Sequence, residues 1–304
     1  MAADQVAPHE QWDIVSSVGL TALGVAVGRA LETKNGTGLV DDPYAERFVR
    51  AAQPDGEFAS VLEGGVPAAQ SADPDSADLW AAMAAHLGLR SRFFDEYFER
   101  AKADGVRQVV LLASGLDARP QRLDWPQDLE LFEIDQPLVL DFKERVLDEA
   151  GAQDRCQRHA VRVDLRDDWR SALLDAGFDP QAPTAWLAEG LLVYLPQDAE
   201  RALLETISEL SAPGSRIALE HASQFSDTLN DPLFERVSNR FGVDMRELVH
   251  SDDRQPALER LAGLGWSTAW NQDGASIASH YGREVPEVGA AFLDRVHYAT
   301  SYLN

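Results

Sequence analysis

One cysteine in 304 residues, Cys156, leaves no material for a disulfide framework or a thiolate metal cluster. It stands in Asp154-Arg155-Cys156-Gln157-Arg158 with no nucleophile motif around it, and it is read as an incidental thiol; no metal site is expected. Long apolar runs are also missing. The most apolar early stretch, Val18 to Val27, is too short to span a bilayer. It follows Asp4, Glu10 and Asp13 instead of a basic leader, so no secretory signal is expected and the chain is placed in the cytoplasm. Basic residues are scarce, 27 Lys and Arg against 51 Asp and Glu, for a net charge of −24. Such a field repels DNA, RNA and anionic membranes, and it is read as acidic adaptation for solubility. The chain has neither a GxGxxG fingerprint nor the lysine of a phosphate-binding loop, which argues against a pyrophosphate ligand.

Hydrophobic content of 45% and charged content of 26% suit a soluble α/β protein of this length with a substantial extension. Residues 1–104 read as a helical cap on the core. Val18, Leu23, Val27 and Leu31 recur at roughly helical spacing up to the turn cluster Asn35-Gly36-Thr37-Gly38. Asp42-Pro43 opens a second short helix, 64–78 is a loop, and a long helix over 77–103 aims Phe93, Phe94, Tyr97, Phe98 and Ala101 at a sheet. Residues 105–304 read as an α/β domain, forming one compact unit with the cap. Strands are expected over 109–113, 129–135, 160–165, 184–188, 216–220, 266–270 and 291–303. An inserted helical lid is expected over about 222–255, with Phe225, Phe234, Val237, Phe241 and Leu248. Only a short loop, about 271–288, separates the last two strands, so the seventh is expected to run antiparallel beside the sixth.

Ligands of open α/β sheets bind outside the carboxyl ends of the strands. Ser114-Gly115 turns the backbone there after the first strand, where a residue without Cβ admits a close ligand. Three of the first four strands end on an acid: Asp135, 20 residues after Gly115, then Asp164 and Glu189. Acids around one glycine turn suit a neutral or cationic ligand carrying hydroxyls and amines. Asp135 can take ribose hydroxyls, Asp164 an exocyclic amine, and Glu189 an ammonium or sulfonium.

These residues resemble a known family. Gly115-Leu116-Asp117-Ala118-Arg119, Arg122-Leu123 and Glu133-Ile134-Asp135-Gln136-Pro137 are similar to the leucine carboxyl methyltransferase family, in its actinobacterial S-adenosylmethionine-dependent branch. The likeness continues in Asp42-Pro43, Arg90-Ser91-Arg92-Phe93-Phe94-Asp95, Val163-Asp164-Leu165 and Ala188-Glu189-Gly190-Leu191-Leu192-Val193-Tyr194-Leu195, spanning nearly the whole chain. It implies a Rossmann-like class I methyltransferase fold of seven strands and S-adenosylmethionine as cofactor. Carried over by position, Asp135 holds the ribose, Asp164 and Leu165 the adenine, and Gly115 the methionine portion. Glu189 falls near the cofactor's amino-acid end and Arg90, or Arg92 two residues on, at its carboxylate. The family tends to have a second glycine and a threonine where this chain has Ala113-Ser114 and Ala118, so the Ser114 hydroxyl is expected to replace one backbone contact.

The resemblance implies O-methylation of a small molecule, with a carboxylate acceptor placed ahead of a hydroxyl. A carboxylate is ionised at neutral pH and needs no general base, whereas a hydroxyl benefits from one. His221, just past the fifth strand, and Tyr194 are the polar candidates, and Trp186, Phe225 and Phe234 the candidate walls. Methylation of a protein carboxyl terminus, a nicotinamide-dependent oxidoreductase and a non-catalytic cofactor-binding protein are the alternatives. The sequence leaves the oligomeric state open.

Overall fold

The structure, a computed structural model, describes residues 18–52, 74–222, 248–250 and 255–304. Among the described residues three helices precede the sheet: α1 (Val18–Asn35), α2 (Ala45–Ala52) and α3 (Pro74–Ala103). Strands and helices then alternate as β1 (Gln108–Leu112), α4 (Arg119–Arg122), β2 (Glu130–Asp135), α5 (Pro137–Glu149), β3 (Gln157–Arg162), α6 (Trp169–Asp175) and β4 (Thr184–Ala188). A 3₁₀ turn (Leu192–Tyr194), α7 (Gln197–Glu209) and β5 (Arg216–Ala222) follow. Later in the chain come α8 (Ala257–Gly263), β6 (Trp266–Asp273), α9 (Gly274–His280), α10 (Glu287–Leu293) and β7 (Val296–Leu303).

The seven strands lie in the order β3-β2-β1-β4-β5-β7-β6. β1 to β5 are parallel, and β7 runs antiparallel to both β5 and β6. The class I methyltransferase architecture expected from the sequence is therefore present, with the antiparallel seventh strand beside the sixth. β1 and β4 are buried at every residue because helices cover both faces of the sheet at its centre.

Three expectations need correction. The segment between β6 and β7 is not a bare loop but carries α9 and α10, and β7 starts at Val296, not at 291. Each of these helices is seven residues long, too short to show a period, and they are set by Asp273, which accepts from Ser276 N at 2.7 Å, and by Pro286. The third strand lies earlier than expected, ending at Arg162, so Asp164 stands in the loop after it. Polar contacts place that edge strand: His159 stacks on Phe132 at 4.7 Å and reaches Glu130 at 2.5 Å. α3 also begins earlier, at Pro74, taking in the last residues of the expected loop. The rest of that loop, and Phe225, Phe234, Val237 and Phe241 of the expected lid, lie outside the described residues.

The amino-terminal helices share a core with the α/β unit. Leu23, Val27 and Leu31 of α1, Phe48 and Val49 of α2 and Trp80 of α3 pack with Leu116, Ala118 and, from α5, Val139, Val146 and Leu147. α3 is also pinned to the sheet by the Tyr97 hydroxyl, which donates to the Trp186 and Arg216 carbonyls at 3.0 and 3.1 Å. Asp42 accepts from the backbone N–H of Tyr44 and Ala45 at the start of α2 and pairs with Arg29 at 2.9 Å. Arg29 in turn donates to the Leu116 carbonyl at 2.6 Å. Among the described residues no helix is long and apolar enough to cross a membrane.

Beneath β2, Glu133 is fully buried between two cations, Lys143 Nζ of α5 and Arg158 Nε of β3, each at 2.5 Å. Removing the carboxylate strands Lys143 in the core. Glu133→Leu should therefore cost about 3–5 kcal/mol in unfolding free energy, read from the urea midpoint, although leucine fills much of the space.

Candidate active site

The sheet order brings the ends of five parallel strands into one row. Asp164 beyond β3, Asp135 on β2, the Ser114-Gly115 turn after β1, Glu189 after β4 and Glu220 near the end of β5 follow one another along it. The turn is held by its neighbour. Ser114 N donates to the Ile134 carbonyl at 3.1 Å, and Gly115 N donates to Asp135 Oδ2 at 2.6 Å. Asp135 Oδ1 accepts from Gln136 N at 2.7 Å, so each carboxylate oxygen takes one backbone N–H and keeps a lone pair. Burial pushes the Asp135 carboxyl up to about 6 against those two N–H donors.

Gly115 has φ +50, and so does Ala113, the one non-glycine residue in the left-handed region among those described. Ala113 is thus an alanine in a glycine conformation. Between them, the buried Ser114 hydroxyl has no hydrogen-bond partner among the described residues. An unspent buried hydroxyl at the tip of such a turn is what a ligand would satisfy.

On the other side of the turn lies a buried ion-pair network. Arg90 of α3 donates from Nε to Glu189 Oε1 at 2.8 Å and from NH1 to Glu220 Oε2 at 3.2 Å. Its NH2 makes no hydrogen bond among the described residues. Arg119 joins Glu189 Oε2 at 2.8 Å to Asp95 Oδ1 at 2.7 Å and also pairs with Asp117. Arg122 grips both oxygens of Asp95, at 2.6 and 2.7 Å. Burial works against ionised Asp95, but Arg122 and Arg119 outweigh it and hold its carboxyl below the usual range. Asp117 is likewise brought down to about 2, where Arg119 leads the cations that overcome burial. Gly190 (φ +59) follows Glu189 because a Cβ there would meet Arg90 NH1 at 3.3 Å, and its N–H donates to Glu220 Oε2 at 3.0 Å.

The other candidates fall as follows. Asp164 accepts from Gln136 Nε2 at 3.0 Å and is clasped by Arg166 through its backbone N–H and guanidinium. Leu165 packs at the margin of the core under β2 and β3. Arg92 is half-exposed and spent on Glu96 at 2.9 Å, so Arg90 is the arginine in the network. His221 lies on the opposite face of β5 from Glu220, bonded to Asn271 Oδ1 at 3.1 Å and stacked on His297 at 5.2 Å. Burial lowers it to about 4. Tyr194 is hydrogen-bonded to Thr21 of α1. Trp186 is fully buried, its Nε1 on Ser211 Oγ at 2.9 Å, and is a core residue, not a wall.

Glu220, Arg119, Asp95 and His86 were not singled out by sequence reasoning. Glu220 carried a legible signal, since it is a fourth strand-end acid, on β5. His86 carried one only in retrospect, four residues before Arg90 on the same helical face.

Fold and site together define a class I methyltransferase. The leucine carboxyl methyltransferase family model matches residues 22–208, and the chain belongs to that family. A Saccharopolyspora erythraea protein named "Putative S-adenosyl-L-methionine-dependent methyltransferase" is 51% identical over 259 residues, covering 85% of this chain and 86% of its own. A Mycolicibacterium smegmatis protein of the same description is 45% identical over 306 residues, covering 97% and 98%. Among solved structures, the "putative methyltransferase" of Thermobifida fusca aligns with a TM-score of 0.53 at 15% identity, over 85% of this chain and 94% of that one, a likeness of fold alone.

The strain at Ala113 is open to measurement. Ala→Gly ordinarily costs about 0.5–1 kcal/mol, whereas a left-handed alanine costs about 1–2 kcal/mol. Ala113→Gly should therefore leave stability unchanged or raise it by up to about 1 kcal/mol in urea unfolding.

Proposed function

We propose that this S-adenosylmethionine-dependent methyltransferase acts on an oxygen of a small-molecule acceptor, a carboxylate ahead of a hydroxyl, in the cytoplasm. The observation that carries the cofactor assignment is the state of Arg90. Two glutamates fix its Nε and NH1 and leave NH2 uncommitted, directly beside Glu189. A guanidinium and a carboxylate side by side complement the carboxylate and ammonium of an α-amino acid. The unspent Ser114 hydroxyl and the lone pairs left on Asp135 fit the same ligand.

In this reading Arg90 holds the cofactor's carboxylate and Glu189 its ammonium. Ser114 and Gly115 receive the methionine portion, Asp135 the ribose hydroxyls, and Asp164 and Leu165 the adenine. S-adenosylmethionine, when bound, supplies a methyl group already activated on a sulfonium. What remains for the protein is to align the acceptor and exclude water. An ionised carboxylate acceptor asks for no base. The engagement of His221 with Asn271 supports that acceptor class, because the histidine first suspected of base catalysis is occupied elsewhere. The roof of the acceptor pocket is assigned to the amino-terminal helices, where Thr21 of α1 meets Tyr194. With a net charge of −24, local arginines must draw in the anionic acceptor.

Three outcomes test this reading. Asp135→Ala should weaken S-adenosylmethionine binding at least about tenfold by calorimetry, the loss of charge-assisted bonds to two hydroxyls. Ribose hydroxyls donate to the ionised form of Asp135, so affinity should hold above its value of about 6 and fall as pH drops through it. In Asp135→Asn that acid-side fall should vanish. Once an acceptor screen with mass detection of a methyl gain identifies a carboxylate substrate, His221→Ala should turn it over at the parent rate. A collapse in rate would move the assignment to a hydroxyl acceptor.

A further inference from the structure

Glu220 presents a charge problem that the cofactor reading exposes. It is buried, and its Oε2 accepts from Arg90 NH1 at 3.2 Å and Gly190 N at 3.0 Å. Its Oε1 has no hydrogen bond among the described residues, and His86 Nε2 lies 4.0 Å from it. The other nitrogen of that ring, Nδ1, lies 3.1 Å from the Tyr298 hydroxyl. Tyr298 stays protonated, raised far above its ordinary range by burial and then by Glu220, so its O–H donates to Nδ1 and the ring proton sits on Nε2, toward Glu220. Without cofactor, Arg90 serves two glutamates. A bound amino-acid end adds a carboxylate to Arg90 and an ammonium to Glu189, and Glu220 becomes the surplus buried anion. An uncompensated charge in such a place is expensive.

We propose that Glu220 is a proton-linked counter-ion for Arg90. As the cofactor's carboxylate takes over Arg90, the Glu220 carboxylate binds one proton from solvent, and His86 Nε2–H closes onto Oε1. The inference rests on the reading of Arg90 as the carboxylate-binding residue. Atoms and charge balance, since one proton leaves the buffer, one O–H bond forms, and nothing is oxidised.

The groups around Glu220 direct the proton to it. His86 and Arg90 face it from α3, Glu189 and Gly190 from the end of β4, Tyr194 from the 3₁₀ turn and Tyr298 from β7. Burial, and then the Arg90 charge, hold His86 down to about 3, so the imidazole does not take the proton. Both tyrosines already carry theirs. Glu189 keeps Arg119 at 2.8 Å after Arg90 turns away. Glu220 is already raised by burial, with Arg90 the chief force opposing the rise, so losing Arg90 to a ligand lifts it further. Glu220 is thus a positioning residue that pairs with Arg90 until a ligand's carboxylate takes its place and then gives up its charge.

Calorimetry of S-adenosylmethionine binding near pH ~7, in phosphate and in Tris, separates proton uptake from binding heat through the two buffer ionisation enthalpies. Asp135 is already largely ionised there and contributes little. The full-length protein should take up more than about half a proton per cofactor, and Glu220→Gln, which keeps the shape without the charge, should take up close to none. Equal uptake in the two proteins, or none in the parent, overturns the proposal. If the variant does not fold, infrared difference spectra of the parent decide. Binding should add a protonated-carboxyl stretch, and its absence refutes the idea. Asp135→Ala in the same experiment separates the two levels of the argument. If it too leaves affinity unchanged, the cofactor reading has failed, whereas weakened binding without linked uptake removes this inference alone.

Discussion

A single guanidinium, that of Arg90, lets two strands end on buried acids side by side. Glu189 and Glu220 lie at the carboxyl ends of adjacent strands, where their repulsion would otherwise splay the loops that follow. The arginine comes from α3, and α3 is held by uncharged contacts as well as by ion pairs. Tyr97 bonds two carbonyls of the sheet, and Phe93 stacks on Trp270 at 4.8 Å. The hydrogen bonds and aromatic contacts that seat α3 on the sheet therefore help to set the electrostatics at the strand ends. The long helix ahead of the α/β alternation is part of the active site's frame.

The network around Arg90 is costly to bury and is kept together by near-complete pairing. Arg119 and Arg122 hold Asp95 and Asp117 ionised although both are taken out of water. Pairing of this kind fixes the charges in place ahead of any ligand, which is the sense in which a binding site is preorganised. Among the atoms left wanting, the Ser114 hydroxyl and Arg90 NH2 mark where the pairing stops beside the glycine turn.

Much of this was legible in the sequence because the signals were local. β1 and β4 announce themselves as apolar runs, and the acids at strand ends stand at fixed distances from the glycine turn. What escaped was set by tertiary contact. β3 has too few apolar residues to show its place and is positioned by Glu130, Phe132 and Glu133 across the ladder. α9 and α10, of seven residues each, are too short to show a period. His221 and Glu220 are neighbours in the chain, yet a strand's alternation sends them to opposite faces, and only the pairing with β7 reveals which one faces Arg90. Arg90 and Arg92 could not be separated by motif either, and the helix settles it by turning one inward and the other toward Glu96.

The chain Asp42–Arg29–Leu116 gives the amino-terminal helices a definite standing in the architecture. A surface cap can be exchanged between relatives like a glove, provided its underside is apolar. This one also has a finger hooked through the glycine turn after β1, since Arg29 ends on the Leu116 carbonyl one residue beyond Gly115. The smallest fragment that keeps the glycine loop in shape therefore begins upstream of α1, well before the first strand. A minimal enzyme cut to the sheet and its crossovers would lose the brace before it lost any residue that touches a ligand.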